Sequence, residues 1–276
     1  RFKDFRSAGV TRISMGVQAL NDEDLRRLGR LHSTAEAKRA FEIARSTFDR
    51  VSFDLIYARQ GQSVTDWERE LREALAMAVD HLSLYQLTIE PGTAFGDRFA
   101  RGRLRELPDE ETSADMFAVT QEITATAGMP AYEVSNHAAP GAESRHNRLY
   151  WRYGDWAGIG PGAHGRLTRD GRRQAIESVR APQNWLAAVE NDGAGESGRD
   201  TLTAQEEADE YLLMSLRLTE GMDIRRHRQL GGHLPQASLQ HLQELSLVES
   251  DGNHVRTTTT GRMVLNAVIR ELGTAE

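Results

Sequence analysis

Three polar side chains near the start of the sequence have the chemistry to bind a small polar molecule: Gln18, Arg30 and Asp54. Gln18 ends a β-rich run and Arg30 follows a short helical segment, so both are predicted near the mouth of a sheet or barrel, where α/β folds bind their ligands. Asp54 lies inside an apolar run, where a carboxylate needs compensation. The alternative to a binding role is that Gln18 and Arg30 are ordinary solvated residues and that Asp54 caps the loop after its strand.

A second group of chemically useful side chains lies between residues 136 and 166, a segment rich in loop-forming residues. His137, His146, Tyr150 and Trp151 supply donor atoms and aromatic faces, and the glycine-rich run GIGPGAHG follows them. The alternative for this segment is a packed aromatic loop with a hydrogen-bonded histidine.

The elements that must position Gln18 and Arg30 are a strand and a helix. Alternate apolar residues predict a strand over 10–18. Asn21 then has the character of a helix N-cap, with acidic residues in the first turn, and Gly29 has that of a helix terminator. The stretch is therefore predicted to be strand, loop and helix.

Two more strands are predicted over 51–57, which contains Asp54, and over 81–90. Helices are predicted over 35–46 and after Thr65, which is a candidate N-cap. A βαβαβ order at this spacing predicts parallel strands with helical crossovers, and therefore an α/β fold.

The C-terminal part has a different pattern. A helix closed by Gly128 and a short strand over 132–135 precede the loop-rich segment, and residues 194–199 (AGESGR) are predicted to be a linker. Beyond it we predict a winged-helix-like module, with helices over 204–218, 224–229, 236–245 and 261–272 and a hairpin that turns at Asp251-Gly252.

Charge argues against nucleic acid as the partner of this module. The predicted helix 236–245 contains no Lys or Arg, and the chain has a formal net charge of −7. The basic run 169–173 (RDGRR) is predicted to be the solvated turn of a hairpin. A structural or docking role is therefore favoured over DNA binding.

Composition sets further limits on the 276 residues. The chain has no Cys, which excludes disulfides, thiolate zinc sites, a cysteine nucleophile and a cysteine-ligated iron–sulfur cluster within these residues. No apolar run approaches the ~20 residues that a membrane-spanning helix needs. The chain begins with Arg1 inside a helix-like segment, so we expect a fragment whose N-terminal part is missing.

Several ordered motifs resemble one known family. The pieces GVTRISMGVQALND, LGRLH, FDLIY, HLSLYQLTIEPGT, YEVSNHAAPGAESRHNRLYW and GIGPGAH are similar to radical S-adenosylmethionine (SAM) proteins related to oxygen-independent coproporphyrinogen III oxidase, and within them to HemW-type heme chaperones. The resemblance implies the C-terminal part of a partial (β/α) barrel over 1–193 and a winged-helix-like domain over 200–276. The missing part would carry the CxxxCxxC loop that ligates a [4Fe–4S] cluster.

The resemblance also implies a SAM site. Gln18, Arg30 and Asp54 match family positions that contact SAM, whose carboxylate suits a guanidinium and whose ribose hydroxyls suit an amide and a carboxylate. The sequence departs from the family after FDLIY, where Ala58-Arg59-Gln60 replaces a Gly-Leu-Pro-like stretch. This loss of Gly and Pro is expected to change the geometry of the loop.

The run 146–151 (HNRLYW) matches the HNxxYW motif of the chaperone branch, which is linked to heme binding. The resemblance implies that His146 is an axial ligand of the heme iron and that Asn147, Tyr150 and Trp151 contact the macrocycle. Arg145 and Arg148 would flank it and pair with propionates. His137 is the alternative ligand.

Two functions follow as expectations. The first is a cytoplasmic heme chaperone that binds heme and SAM, delivers heme to a respiratory protein and does not insert stably into the membrane. The second is the oxidase itself, in which a 5′-deoxyadenosyl radical from SAM drives the oxidative decarboxylation of coproporphyrinogen III to protoporphyrinogen IX. The HNxxYW motif favours the first, and the oligomeric state stays open.

Overall fold

A four-stranded sheet, in the order β1-β2-β3-β4, is the framework of residues 1–143 in the computed structural model, which describes residues 1–273. Its first three strands are parallel, as predicted, and β4 is antiparallel to β3. The strands are β1 (Arg12–Gln18), β2 (Arg50–Tyr57), β3 (His81–Gln86) and β4 (Asn136–Ala138). The short strand predicted over 132–135 is wrong, because the residues that pair with β3 begin at Asn136.

The helices of this unit are α1 (Phe2–Ser7), α2 (Asp22–Arg27), α3 (Thr34–Arg45), α4 (Val64–Met77), α5 (Ala94–Ala100) and α6 (Glu110–Thr126). Asn21 caps α2 as predicted, since its side chain accepts a hydrogen bond from the Asp24 N–H at 2.9 Å. The N-cap of α4 is Ser63 instead of Thr65, because the Ser63 hydroxyl is the group that accepts from the Asp66 N–H.

The two faces of the sheet differ in chemistry. Side chains alternate along a strand, and one face carries the buried core residues Phe53, Leu55 and Leu82, against which Phe41 and Trp67 of the helices pack. The other face is largely polar. There the register joins Gly16 to Asp54, Asp54 to Ser83 and Ser83 to Asn136. The sheet therefore has one face for packing and one for polar contacts.

Residues from 144 onward form a second compact unit with its own core. Its first part contains α7 (Arg145–Trp151), β5 (His164–Arg169), β6 (Arg172–Ser178), α8 (Pro182–Asp192) and β7 (Glu196–Thr201). The three strands form an antiparallel sheet in the order β5-β6-β7. The linker predicted over 194–199 is wrong, because most of that segment belongs to β7 and pairs with β6.

The predicted hairpin turn at RDGRR is confirmed between β5 and β6, but its solvated character is wrong for Arg173. That side chain is buried, and its guanidinium lies 3.7 Å from the centroid of the Tyr153 ring. A cation above an aromatic face gains electrostatic stabilisation that increases as water is excluded. Arg173 is thus part of the packing of the second unit.

The last part of the chain is the winged-helix-like arrangement that the sequence predicts. Its elements are α9 (Ala204–Ser215), β8 (Met222–Asp223), α10 (Ile224–Gln229), α11 (Gln236–Glu244), β9 (Val248–Ser250), β10 (His254–Thr257), α12 (Thr259–Met263) and α13 (Leu265–Leu272). The wing is a three-stranded sheet in the order β8-β10-β9. The helix predicted over 261–272 is divided at Val264, which ends α12 and precedes α13.

Candidate functional site

Gln18, Arg30 and Asp54 meet at the carboxyl end of β1, and we call them the strand-end cluster. The Gln18 side-chain amide donates a hydrogen bond to Asp54 Oδ2. Arg30 Nη2 donates to Gln18 Oε1 at 3.0 Å. The structure thus joins three side chains from separate segments into one hydrogen-bonded chain.

The backbone at the end of β1 is shaped for this contact. Gln18 has a φ of +74°, in the left-handed region, and the strand register is irregular between Gly16 and Gln18. A Cβ at Gly16 would lie 3.0 Å from Gln18 Nε2 and 3.8 Å from Asp54 Oδ2, so the glycine leaves room for the amide. Left-handed residues other than glycine cost free energy and cluster at functional sites.

The three side chains of the strand-end cluster differ in solvent exposure. Gln18 is only 6% exposed, Asp54 is half-buried and Arg30 is exposed. Burial raises the pKa of Asp54 above its ordinary value, and the hydrogen bond from Gln18 and the charge of Arg30 oppose that rise. The site is therefore polar, with the exposed Arg30 guanidinium as hydrogen-bond donor at one end and the half-buried Asp54 carboxylate as acceptor at the other.

Tyr85 is a neighbour of this site that the sequence reasoning missed. It lies two residues after Ser83 on β3, on the same face as Asp54, and its ring is partly exposed. Burial first, and then the charge of Asp54, raise the pKa of its hydroxyl. The two-residue period of HLSLYQ could have revealed it, since Ser83 and Tyr85 must share one face.

The donor set of the strand-end cluster fits SAM. A guanidinium binds a carboxylate through two parallel hydrogen bonds, and a carboxylate accepts from ribose hydroxyls. Both groups are present here within one chain of contacts, with an amide between them. The [4Fe–4S] ligands are a different matter, because the sequence contains no Cys to supply them.

The second predicted site lies on α7, which contains HNRLYW. Ser144 caps this helix, and its hydroxyl accepts from the Asn147 N–H at 3.4 Å. His146 is exposed, whereas His137 is buried on β4 of the first unit. Of the two candidate iron ligands, His146 is therefore the accessible one.

Tyr150 and Trp151 lie on the same helix but are partly buried. The Tyr150 ring lies 5.0 Å from the Trp151 ring and 4.7 Å from the Trp156 ring, centroid to centroid. Both rings pack against the core of the second unit. Their packing anchors one side of α7 to the second unit. His146, on the same helix, is exposed to solvent instead.

Polar contacts hold the C-terminal end of α7 to the winged-helix-like part. Arg152 Nη2 donates to Glu220 Oε2 at 2.6 Å, and the Tyr153 hydroxyl donates to Glu210 at 2.8 Å. Arg226 donates to the backbone carbonyls of Arg152 and Tyr153 at 2.7 and 3.1 Å. The helix is therefore fixed at one end, and His146 lies near the other.

Among residues 1–273, no group of three or more His, Cys, Asp or Glu side chains is arranged to hold a metal ion. Within the same residues, no helix combines the length and apolar character needed to cross a bilayer.

Comparisons with known proteins connect these features to a family. The model of the HemN C-terminal domain matches residues 202–264. The mitochondrial radical S-adenosyl methionine domain-containing protein 1 of Danio rerio is 38% identical over 98% of this chain, which spans 63% of that relative. Heme chaperone HemW of Bacillus subtilis is 32% identical over 97% of this chain and 71% of its own length.

One solved structure has the same fold. Coproporphyrinogen III oxidase (HemN) from Escherichia coli, described as a radical SAM enzyme, superposes with a TM-score of 0.78 over 99% of this chain and 66% of its own. The sequence identity is 20%, so the likeness concerns the fold alone. It agrees with the predicted partial barrel followed by a winged-helix-like domain.

Proposed function

Because the chain belongs to the HemW-type family of radical SAM proteins, we propose that the full protein is a heme chaperone that binds heme and SAM and delivers the heme to a respiratory protein. The chain spans less than two thirds of several relatives, so the activity of the whole protein is part of the proposal. The observation that carries it is the exposed His146 on α7, within the HNxxYW motif.

The strand-end cluster would hold SAM. Arg30 would bind the carboxylate of the methionine part, and Asp54 and Gln18 would bind hydroxyl groups of the ribose. Bound at a reduced [4Fe–4S] cluster, SAM can supply a 5′-deoxyadenosyl radical. The thiolates for such a cluster would have to lie outside this sequence.

Heme would bind at α7. An exposed imidazole can ligate iron without moving the helix, and Arg145 is also exposed beside it. Arg148 lies 3.6 Å from Glu220, so it would exchange that partner to reach a propionate. Tyr150 and Trp151 would contact the macrocycle through their accessible edges while their other sides stay packed.

The test is a heme titration of the full-length protein followed by Soret absorbance, beside His146→Ala. We expect saturable binding, and an affinity that falls in the variant by on the order of tenfold or more because an axial ligand is lost. His241→Ala is a matched control, since His241 is an exposed histidine on α11 of the same unit. Equal heme affinity of His146→Ala and the wild type would rule out His146 as the iron ligand. No heme binding by the wild type would rule out the chaperone function.

The alternative function is oxygen-independent coproporphyrinogen III oxidase. The specific observation in its favour is the HemN C-terminal domain match over 202–264. Anaerobic conversion of coproporphyrinogen III to protoporphyrinogen IX by the full-length protein, without saturable heme binding, would select it. The cytoplasm is our proposed location, although the Danio rerio relative is named as mitochondrial.

A further inference from the structure

A buried charge network lies beside the strand-end cluster. Arg59, in the loop after β2, is 3% exposed, and its Nε and Nη2 donate to Asp24 Oδ2 at 3.1 and 2.8 Å. The same guanidinium donates to Glu70 of α4 and to the carbonyl of Ile56 in β2. A buried cation persists when its donors are bonded. Arg59 therefore connects α2, α4 and the end of β2.

Glu70 extends this network to the turn that carries Gln18. Its Oε1 accepts from the Leu20 N–H at 2.6 Å, and Leu20 is the second residue after Gln18. Gln62 donates to the other carboxylate oxygen of Glu70 at 3.1 Å. Because Gln18 holds a left-handed conformation, which persists only where surroundings fix it, the bond from Leu20 to Glu70 constrains that conformation.

The charges of the network depend on Arg59. Asp24 and Glu70 share this one guanidinium, and the side chains of the three residues are 15%, 9% and 4% exposed, respectively. Without the cation, two largely buried carboxylates would remain uncompensated and would move towards water. Since Asp24 belongs to α2 and Glu70 to α4, such a movement would displace the turn between β1 and α2.

The bridge between the two carboxylates depends on the residue type at position 59. Arg59 is the middle residue of Ala58-Arg59-Gln60, and its guanidinium donates to both Asp24 and Glu70. A Leu there could not bridge two carboxylates, so the polar contact between this loop and α2 would be lost.

We propose that Arg59 is a positioning residue for SAM: with Asp24 and Glu70 it fixes the turn that presents Gln18 to Asp54. The inference rests on the proposed assignment of the strand-end cluster to SAM. Arg59 needs no contact with the ligand for this role, because its Nε, Nη1 and Nη2 atoms already donate to Asp24, Ile56 and Glu70 within the protein.

The experiment measures SAM affinity by equilibrium dialysis in the full-length protein with its iron–sulfur cluster reconstituted. Arg59→Leu is expected to weaken SAM binding at least tenfold, and Arg59→Lys less, because an ammonium keeps the charge but loses the planar fork. Arg69→Leu is the control, since Arg69 is also on α4 but its side chain is 74% exposed. In the Arg59 variants, hydrogen exchange of the peptide covering 18–24 should be faster, and it should be fastest in the variant with the highest SAM dissociation constant. Heme affinity should stay unchanged.

A second variant covers the case in which Arg59→Leu fails to fold. Arg59→Leu combined with Glu70→Met leaves a single carboxylate in the network and removes the acceptor of the Leu20 N–H, and we expect a folded protein with weak SAM binding. Wild-type SAM affinity in this folded double variant, or in folded Arg59→Leu, would overturn the proposal.

Arg30→Leu separates the inference from the function on which it rests. If Arg30→Leu weakens SAM binding and the Arg59 variants do not, the positioning role fails and the SAM site remains. If Arg30→Leu leaves SAM affinity unchanged, the assignment of the strand-end cluster fails, and the role of Arg59 fails with it.

Discussion

Gln18, Arg30 and Asp54 come from three separate segments and hydrogen-bond to one another, whereas His146, Tyr150 and Trp151 lie on one short helix and differ in exposure. The first arrangement exists only in the folded unit. The second is a local motif whose spacing is already present in the sequence. A long-range cluster should therefore respond to substitutions at its neighbours, while the α7 motif should depend mainly on one exposed side chain.

Gly16→Val is the substitution that tests this difference most strongly. A side chain at position 16 would enter the space of the Gln18 amide, 3.0 Å from a Cβ there, and break its bond to Asp54. Hydrogen bonds to charged groups contribute about 1.5–3 kcal/mol, so SAM affinity is expected to fall by on the order of a hundredfold. Equilibrium dialysis of SAM and the Soret titration of heme should be run on the same sample.

The thermal midpoint of Gly16→Val is the control for that experiment. The atom nearest the new side chain is the far end of the Gln18 side chain and not backbone, so the fold should survive, with a fall in the midpoint that corresponds to the lost hydrogen bond. Equal losses of SAM and heme affinity would contradict the independence of the two sites.

Acid stability gives a second comparison, because each unit contains a buried histidine. Burial, followed by the charges of Arg12 and Arg50, lowers the pKa of His81 to about 3. Burial also lowers the pKa of His227 in the second unit. In both cases the unfolded chain binds the proton more readily, so stability is complete above the ordinary histidine pKa and decreases as the pH falls below it.

For His81 the loss is about 1.4 kcal/mol per pH unit below about 6.5, or roughly 2 kcal/mol at pH 5. Urea unfolding of the wild type and of His81→Gln at pH 7 and pH 5 measures it, since the amide can bond to Tyr132 but does not titrate. A pH dependence that is the same in both proteins would assign the acid sensitivity to other groups, with His227→Gln as the next variant.

The sequence predicted the parallel sheet, the Asn21 cap and the Asp251-Gly252 hairpin, because periodicity and turn chemistry encode them locally. The family motifs implied a shared role for Gln18, Arg30 and Asp54 but not the hydrogen bond between Gln18 and Asp54, which joins residues 36 positions apart. It did not predict β7, since a polar strand such as ESGRDT has the composition of a linker and is defined only by its pairing with β6. Nor did it predict the burial of Arg173 or Arg59, which depends on distant partners.

Ala58→Gly makes the smallest change and tests whether the loop after β2 carries backbone strain. Ala58 has a φ of +56°, and Tyr153 of the second unit has the same value. Tyr153 is held there by the Arg173 guanidinium and by its hydrogen bond to Glu210, whereas Ala58 has only a methyl group to lose. A left-handed conformation costs alanine roughly 1–2 kcal/mol, which glycine avoids, and the greater entropy of the unfolded glycine chain offsets about 0.5–1 kcal/mol of this, so the variant should gain about 0.5–1 kcal/mol of unfolding free energy in urea.

Because Arg59 follows directly, SAM affinity should be unchanged in Ala58→Gly if the guanidinium keeps its place. If SAM affinity falls while stability increases, the strained backbone at Ala58 is what orients the Arg59 side chain towards Asp24 and Glu70.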